Sequence, residues 1–335
     1  MQAVLKKVPE LTVLIALAVG GYIVIAMFSE ISGNEVLSSP EMLGIVAGSF
    51  VLSTAIAILA VIAGIGGGVL FTPVVLAFTS IDTLIVRATG LVVAMFSGLI
   101  SSGPFMKKGL SDVRLIFFCA VPFVVGGLGG SFTAIFLSES MGATGDAIVR
   151  LSLGIILIFT ALLFVFGGTK IEYPQPKKVD NLSRKLGLGG GYWEESTNRP
   201  VFYQSTRAFL GGLLFILVGF SGGFFGLGGG WAVVPVLNFV MATPLKVSAA
   251  CSGVLLALGN SCAVWPYITY GALIAVFAGP WMVGQVIGGI LGAHILARTK
   301  VGIVRKILIV ILFLTSVKLL SRGLETLFGV NIPIF

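Results

Sequence analysis

Charged side chains are scarce in this chain of 335 residues, and their scarcity excludes most soluble folds. Asp, Glu, Lys and Arg make up 10% of the sequence, whereas a soluble globular domain carries roughly 25%. Hydrophobic residues make up 57%, and mean hydropathy is +1.09. Apolar stretches that approach the ~20 residues needed to cross a bilayer recur along the chain, and alternating strands of the outer-membrane type are absent. The sequence therefore predicts an all-α integral membrane protein.

Catalytic and metal-binding side chains are equally rare. The chain has 1 histidine and no HExxH motif, and its acidic residues fall in loops or at the ends of apolar segments. The sequence therefore lacks the side chains that a metalloprotease or an aspartyl protease needs for catalysis. It also lacks the buried acidic ligands expected of a cation carrier. We predict no metal, no cofactor and no enzymatic activity. The three cysteines, Cys119, Cys251 and Cys262, have no CxxC spacing and indicate small buried side chains rather than disulfides.

The excess of basic residues, which gives a net charge of +8, indicates membrane orientation rather than a nucleic-acid partner. Lys6 and Lys7 place the N-terminus inside, ahead of a first apolar helix that we predict to be retained. The loop 29–41 carries only acidic charge and is expected outside. Basic residues in the loop around Lys107, in 169–206 and in 298–306 place those segments inside. We expect a multi-pass protein of the cell membrane (inner or plasma membrane), with the lipid bilayer as its surroundings.

An internal repeat follows from two glycine motifs. Gly64–Gly68 with Pro73 recurs as Gly226–Gly230 with Pro235, and the two copies lie 162 residues apart. The segments 126–130 and 288–292 are also alike. This self-similarity indicates duplication. The predicted division is an N-terminal helix and outer loop at 1–41, a first repeat at 42–168, a solvated cytoplasmic connector at 169–206 and a second repeat at 207–335.

Loop charges predict how each repeat crosses the membrane. The segment 42–80 must enter and leave from the outside, and 208–242 must enter and leave from the inside. Each repeat then consists of one re-entrant hairpin, broken at its glycines, plus three transmembrane helices. An odd number of spans inverts the second copy, which gives a polytopic helical bundle of two inverted repeats with an extra N-terminal helix. Arg150 and Arg322 fall on the outer side in this arrangement, but kinked full spans would place all of 298–306 outside.

The two glycine breaks predict an anion site. Each glycine weakens a helix interior by about 1 kcal/mol, so three in a row require a use for the exposed backbone. A helix restarting after each break directs its free amides and positive dipole end toward the membrane centre. Arg87 and Lys246 are expected to steer anions inward, with interfacial anchoring as the alternative. The predicted substrate-binding residues are Gly66, Gly67, Gly68, Thr89, Ser97, Gly228, Gly229, Gly230, Ser252 and Asn260.

The motifs GIGGGVLFTP and GLGGGWAVVP, with ATGLVVAMFSG and FMKKGLSDVRL, resemble those of the sulfite exporter TauE/SafE family of permeases. The resemblance extends from Met42 to Arg322. It implies a permease for sulfite, an organosulfonate or a related sulfur-containing anion, with the glycine motifs, Thr89 and Ser252 at the site. Cys251, where the first half has an alanine, and the bulky Trp231 depart from the pattern.

Two alternatives remain open at this stage. Ser221, in a GFSG sequence, and His294 would suit an intramembrane serine protease if they met. An anion channel would use the same breaks without alternating access. His294 is also the one side chain within a span that titrates near neutrality, so it is a candidate for proton coupling. The sequence leaves open the identity of the anion, the direction of transport and a homo-oligomeric state.

Overall fold

The computed structural model describes residues 40–63, 66–107, 109–166, 174, 178–194, 198–296 and 301–329. The predicted first helix and the first two residues of the GIGGG motif lie outside these ranges. The first half consists of five helices, each built from one apolar run. They are α1 (Pro40–Ala63), α2 (Gly68–Phe78), α3 (Thr83–Lys107), α4 (Val113–Met141) and α5 (Ala143–Phe166).

The connector and the second half follow in the same order. The connector holds α6 (Asn181–Lys185), β1 (Gly189–Glu194) and β2 (Arg199–Gln204). In the second half, α8 is a single turn that continues as a π-helical segment, Val236–Val240. Its helices are α7 (Ala208–Phe225), α8 (Val233–Pro235), α9 (Leu245–Ala263), α10 (Trp265–Thr269), α11 (Ala275–Leu296) and α12 (Val301–Phe328).

Five apolar segments among the described residues are long enough to cross a bilayer. Shorter apolar stretches lie in α1, α2 and α11. These findings confirm the prediction of a mostly helical protein with several membrane spans. The five segments are Thr83–Gly103, Val113–Met141, Ala143–Leu162, Ala208–Phe225 and Leu245–Thr269.

The helices of one half pack against those of the other. The main pairs are α4 with α7, α1 with α11, α3 with α9 and α5 with α12. Glycines allow the closest approaches: a Cβ added to Gly126 would lie 2.0 Å from the carbonyl oxygen of Ile216, and one added to Gly288 would lie 2.4 Å from that of Thr54. Gly288 lies 162 residues after Gly126, and Ile216 lies 162 residues after Thr54. The spacing of 162 residues that separates the two motifs therefore also relates the contact of α4 with α7 to the contact of α11 with α1.

The described part of the connector contacts the helix bundle through a few buried side chains, while many of its residues are exposed. Its assignment as a solvated cytoplasmic connector stays a prediction. Strands β1 and β2 form an antiparallel hairpin in which Leu188 and Tyr192 are buried. The buried Glu194 carboxylate accepts a hydrogen bond from Lys246 Nζ at 2.5 Å. The Tyr203 hydroxyl donates to Asp112, the N-cap residue of α4, at 2.8 Å. Burial and the adjacent Asp112 carboxylate raise the pKa of Tyr203, so this hydroxyl remains a donor at neutral pH.

Arg322, which the charge pattern places on the outer side, caps a helix. Its guanidinium donates to the carbonyl oxygen of Thr79 at 2.8 Å and to that of Leu76 at 3.4 Å, at the C-terminal end of α2. A cation at a helix C-terminus satisfies the last carbonyls and favours the helix dipole. The position of Arg322 therefore has a structural cause besides membrane orientation.

We expect Arg322→Gln to destabilise the protein by about 1 kcal/mol, because α2 loses its cap and the favourable charge at its end. Thermal unfolding of the purified protein in detergent measures the loss. Glu325→Gln, an exposed charge change one turn along α12, serves as the control. Equal melting temperatures for the two variants would show that the cap contributes nothing.

Candidate functional site

The first glycine break is a tight turn that opens directly into α2. Gly66 has φ of +80°, a conformation that favours glycine, and Gly67 is the N-cap residue of α2 with φ of −63°. The Gly67 carbonyl accepts the first hydrogen bonds of the helix, from the amides of Leu70 and Phe71. The Gly67 amide itself donates to Ser97 Oγ of α3 at 3.0 Å. Helix α2 therefore begins inside the protein with its N-terminus against α3.

The second break is longer and does not restart a regular helix. Gly226, Gly228 and Gly229 have φ of +70°, +73° and +72°. The Gly228 amide donates to the carbonyl of Gly222 at 3.4 Å, and the Gly228 carbonyl accepts from Asn260 Nδ2 at 3.4 Å. The helix expected near residue 231 is reduced to the single turn of α8 and its π-helical continuation. The two breaks thus share a sequence motif but differ in local structure.

The two breaks meet beside Ala94 in the middle of α3. A Cβ added to Gly68 would lie 2.8 Å from Ala94 Cβ, and one added to Gly228 would lie 2.3 Å from the same atom. The Thr72 hydroxyl of α2 also donates to the carbonyl of Gly226 at 2.7 Å. The two copies of the motif are therefore brought together in the protein interior.

The side chains predicted at the site divide into two groups. Ser97 and Asn260 are buried and hydrogen-bond to the breaks, as described above. Thr89 and Ser252 are also buried, but neither forms a hydrogen bond to a break. The Thr89 hydroxyl has no partner among the described residues. Thr89 lies on the face of α3 that carries Val93, which packs in the core cluster around α2.

Of the six glycine amides predicted to bind the anion, those of Gly67 and Gly228 already donate within the protein. Within the described ranges, no hydrogen bond is donated by the amides of Gly68, Gly229 and Gly230. All five of these glycines are buried. The donors left for a ligand are therefore fewer than the motif alone indicates.

Both predicted steering cations are paired with carboxylates. Arg87 is completely buried, and its guanidinium lies 3.6 Å from Asp146 and donates to the hydroxyl of Thr83 at 2.9 Å. Lys246 binds Glu194 of the connector hairpin. This pairing favours the structural alternative to steering for both residues.

The protease alternative gains no support from Ser221. Its hydroxyl donates to the carbonyl of Val218 in its own helix at 3.0 Å, and that helix, α7, packs mainly on α4. His294 belongs to α11, which packs mainly on α1, and its side chain lies outside the described part of the structure. The described residues also contain no group of three or more side chains that could hold a metal ion.

Sequence reasoning missed Gln285 of α11. This side chain is 1% exposed, and a Cβ added to Gly67 would lie 2.2 Å from its Oε1 atom. Gln285 Oε1 has no hydrogen-bond partner among the described residues. A neutral amide within an apolar segment was the available signal, but only the fold places it at the first break.

Comparison with known proteins agrees with the resemblance seen in the motifs. The model of the family described as "Sulfite exporter TauE/SafE" matches residues 49–319. The "Probable membrane transporter protein YunE" of Bacillus subtilis strain 168 is 25% identical over 270 residues, which cover 78% of this chain and 92% of that protein. No solved structure matches the chain.

Proposed function

Since this chain belongs to the Sulfite exporter TauE/SafE family of membrane transporters, we propose that it carries a small sulfur-containing anion, such as sulfite or an organosulfonate, across the cell membrane. The observation that carries the proposal is the meeting of the two glycine breaks beside Ala94. Amides and a helix N-terminus bind anions without a basic side chain. Such a site suits a substrate that must be released again on the other side.

The packing between the halves supports an alternating-access mechanism. The 162-residue spacing exchanges the α4–α7 pair for the α1–α11 pair, as expected for two repeats related by a two-fold axis. The breaks lie where these repeats meet. Rocking of one repeat against the other would open the site first to one side and then to the other.

Flux measured in proteoliposomes tests this proposal, with sulfite, methanesulfonate, sulfate, phosphate and chloride as substrates. Gly67→Ala is the informative variant, because φ of −63° accepts alanine while the added methyl would take the place of the Gln285 carboxamide. We expect saturable flux of a sulfur anion in the wild type. In the variant its KM should rise, because the added methyl and the displaced side chain narrow the space at the N-terminus of α2.

Gly103→Ala is the matched control, since a Cβ at Gly103 of α3 would meet no atom within 4 Å. Its flux should equal that of the wild type. Flux that does not saturate would indicate the channel alternative. No flux of any anion, or equal flux in Gly67→Ala, would argue against the break as the substrate site.

A further inference from the structure

Gln285 is held at the first break with one end of its amide unused. Its Nε2 atom lies 3.4 Å from the carbonyl oxygen of Ser53 and 3.5 Å from the Ser53 hydroxyl, while Oε1 faces Gly67 without a partner. Both contacts of Nε2 are long for hydrogen bonds. The unpaired Oε1 atom is an acceptor and cannot bind a deprotonated oxyanion, so binding requires the Nε2 donor at this position. A 180° rotation of the amide exchanges its ends and turns the Nε2 donor toward the N-terminus of α2.

The equivalent position in the other half is occupied by an apolar ring. Phe123 of α4 precedes Gln285 by 162 residues, as Gly67 precedes Gly229. A Cβ added to Gly229 would lie 2.8 Å from Phe123 Cε2, so the ring stands against the second break as the amide stands against the first. Phe123 is 2% exposed and packs edge-on against Phe215. The second break therefore has a closed, apolar side where the first has an amide.

In the described part of the chain, two further buried donors without partners lie on the first side, and one, the indole nitrogen of Trp231, lies beside the second break. Trp281 lies one turn before Gln285 on α11, and its ring stands 4.4 Å from that of Phe71 in α2. Neither its indole nitrogen nor the Thr89 hydroxyl has a hydrogen-bond partner among the described residues. Trp281 belongs to the core cluster around α2, and Val93, on the helix face of Thr89, belongs to the same cluster. Only α2 restarts as a regular helix of 11 residues with an N-terminal end able to favour an anion.

We propose that Gln285 binds the anionic group of the substrate at the N-terminus of α2, and that Phe123 closes the corresponding position of the second half. The charged end of the substrate is thus recognised mainly at the first break. The second break contributes the apolar wall. This inference rests on the proposed transport of a small sulfur anion and assigns its recognition to one side of the site.

The test compares Gln285→Leu with Phe123→Leu, the substitution at the matching position of the other half. The KM for flux is measured in proteoliposomes with sulfite and with methanesulfonate, together with the melting temperature without anion. In Gln285→Leu we expect KM to rise roughly tenfold, the value of one hydrogen bond to a charged group. Its melting temperature should stay the same or rise, because an unsatisfied polar group is replaced by an apolar one of similar size. Phe123→Leu should lower the melting temperature and raise KM less than Gln285→Leu does, since it removes packing but no donor.

Gln285→Asn serves if the leucine variant does not fold, since it keeps the amide but withdraws it by one methylene. Its KM should also rise. A wild-type KM in either Gln285 variant, or an equal rise in Phe123→Leu, would overturn the inference and leave the proposed function standing. Absence of flux of both probes in the wild type would overturn the proposed function and this inference together.

Discussion

Replacing Asp146 with alanine is expected to lower the free energy of unfolding by about 3 kcal/mol, because it leaves a buried guanidinium without its counterion. Arg87 is 0% exposed, and its carboxylate partner is 26% exposed at a distance of 3.6 Å. The same carboxylate accepts a hydrogen bond from the Thr83 hydroxyl, which in turn accepts one from Arg87. Because Asp146 is partly exposed, we place the loss at the lower end of the range for broken buried pairs.

Thermal unfolding in detergent measures this loss of stability, and two further variants serve as controls. Asp82→Ala removes another carboxylate near the same end of α3, where it accepts from the amide of Leu84 at 2.8 Å. Losing that exposed cap should cost only about 1 kcal/mol. Adding Arg87→Met to Asp146→Ala removes the stranded charge and should recover part of the stability. If the double variant were less stable than Asp146→Ala, uncompensated charge would not be the cause.

The class of the protein and most of its helices follow from composition alone, because a bilayer imposes a length and an apolarity on each span. The Gly66 and Gly228 turns were also predictable. Three adjacent glycines before a helix require a special backbone, and both residues adopt positive φ in the structure. The spacing of 162 residues predicted a duplication, and the structure shows that the same spacing relates the α4–α7 pair to the α1–α11 pair.

Contacts between distant residues could not be predicted in the same way. Arg87 was expected to steer anions inward, yet it is buried and paired with Asp146, which lies 59 residues later in the sequence. Gln285 lies more than 200 residues from Gly67, and no local pattern joins them. The hairpin in 178–206 was missed because Gly189–Gly191 are typical of a loop, whereas β1 is stabilised by pairing with β2 and by burial of Tyr192.

Glycines outside the two motifs allow close packing between helices. Scattered glycines in a membrane helix indicate close helix packing. The structure bears this out for Gly219 and Gly223 of α7, where an added Cβ would lie 2.1 Å from the carbonyl oxygens of Phe123 and Gly127. Those atoms are backbone, so no side-chain rotation relieves the overlap. The helix that carries Phe123 to the second break is therefore positioned by these glycines.

Gly223→Ala is accordingly expected to destabilise the protein by about 3 kcal/mol, the upper end of the cost of overpacking. Helices α4 and α7 would have to separate along their length. The matched control is Gly212→Ala on the same helix, where an added Cβ would be 3.7 Å from the ring of Phe118. That variant should be neutral or slightly stabilising, because alanine is the better helix former. Melting temperature and the yield of monodisperse protein distinguish the two variants.

The same experiment at Gly288 tests the relation between the halves. An added Cβ there would lie 2.4 Å from the carbonyl oxygen of Thr54, in the pair that the 162-residue spacing matches to Gly126 and Ile216. Gly288→Ala should therefore lower the melting temperature about as much as Gly126→Ala. A large loss in one variant with none in the other would mean that the two helix pairs are not equivalent, and the two-fold relation on which the rocking mechanism depends would fail. Similar losses in both variants would indicate that the glycine-packed helix pairs of the two halves contribute equally to stability. Unchanged flux in Gly212→Ala would show that an alanine at an open glycine position does not affect transport.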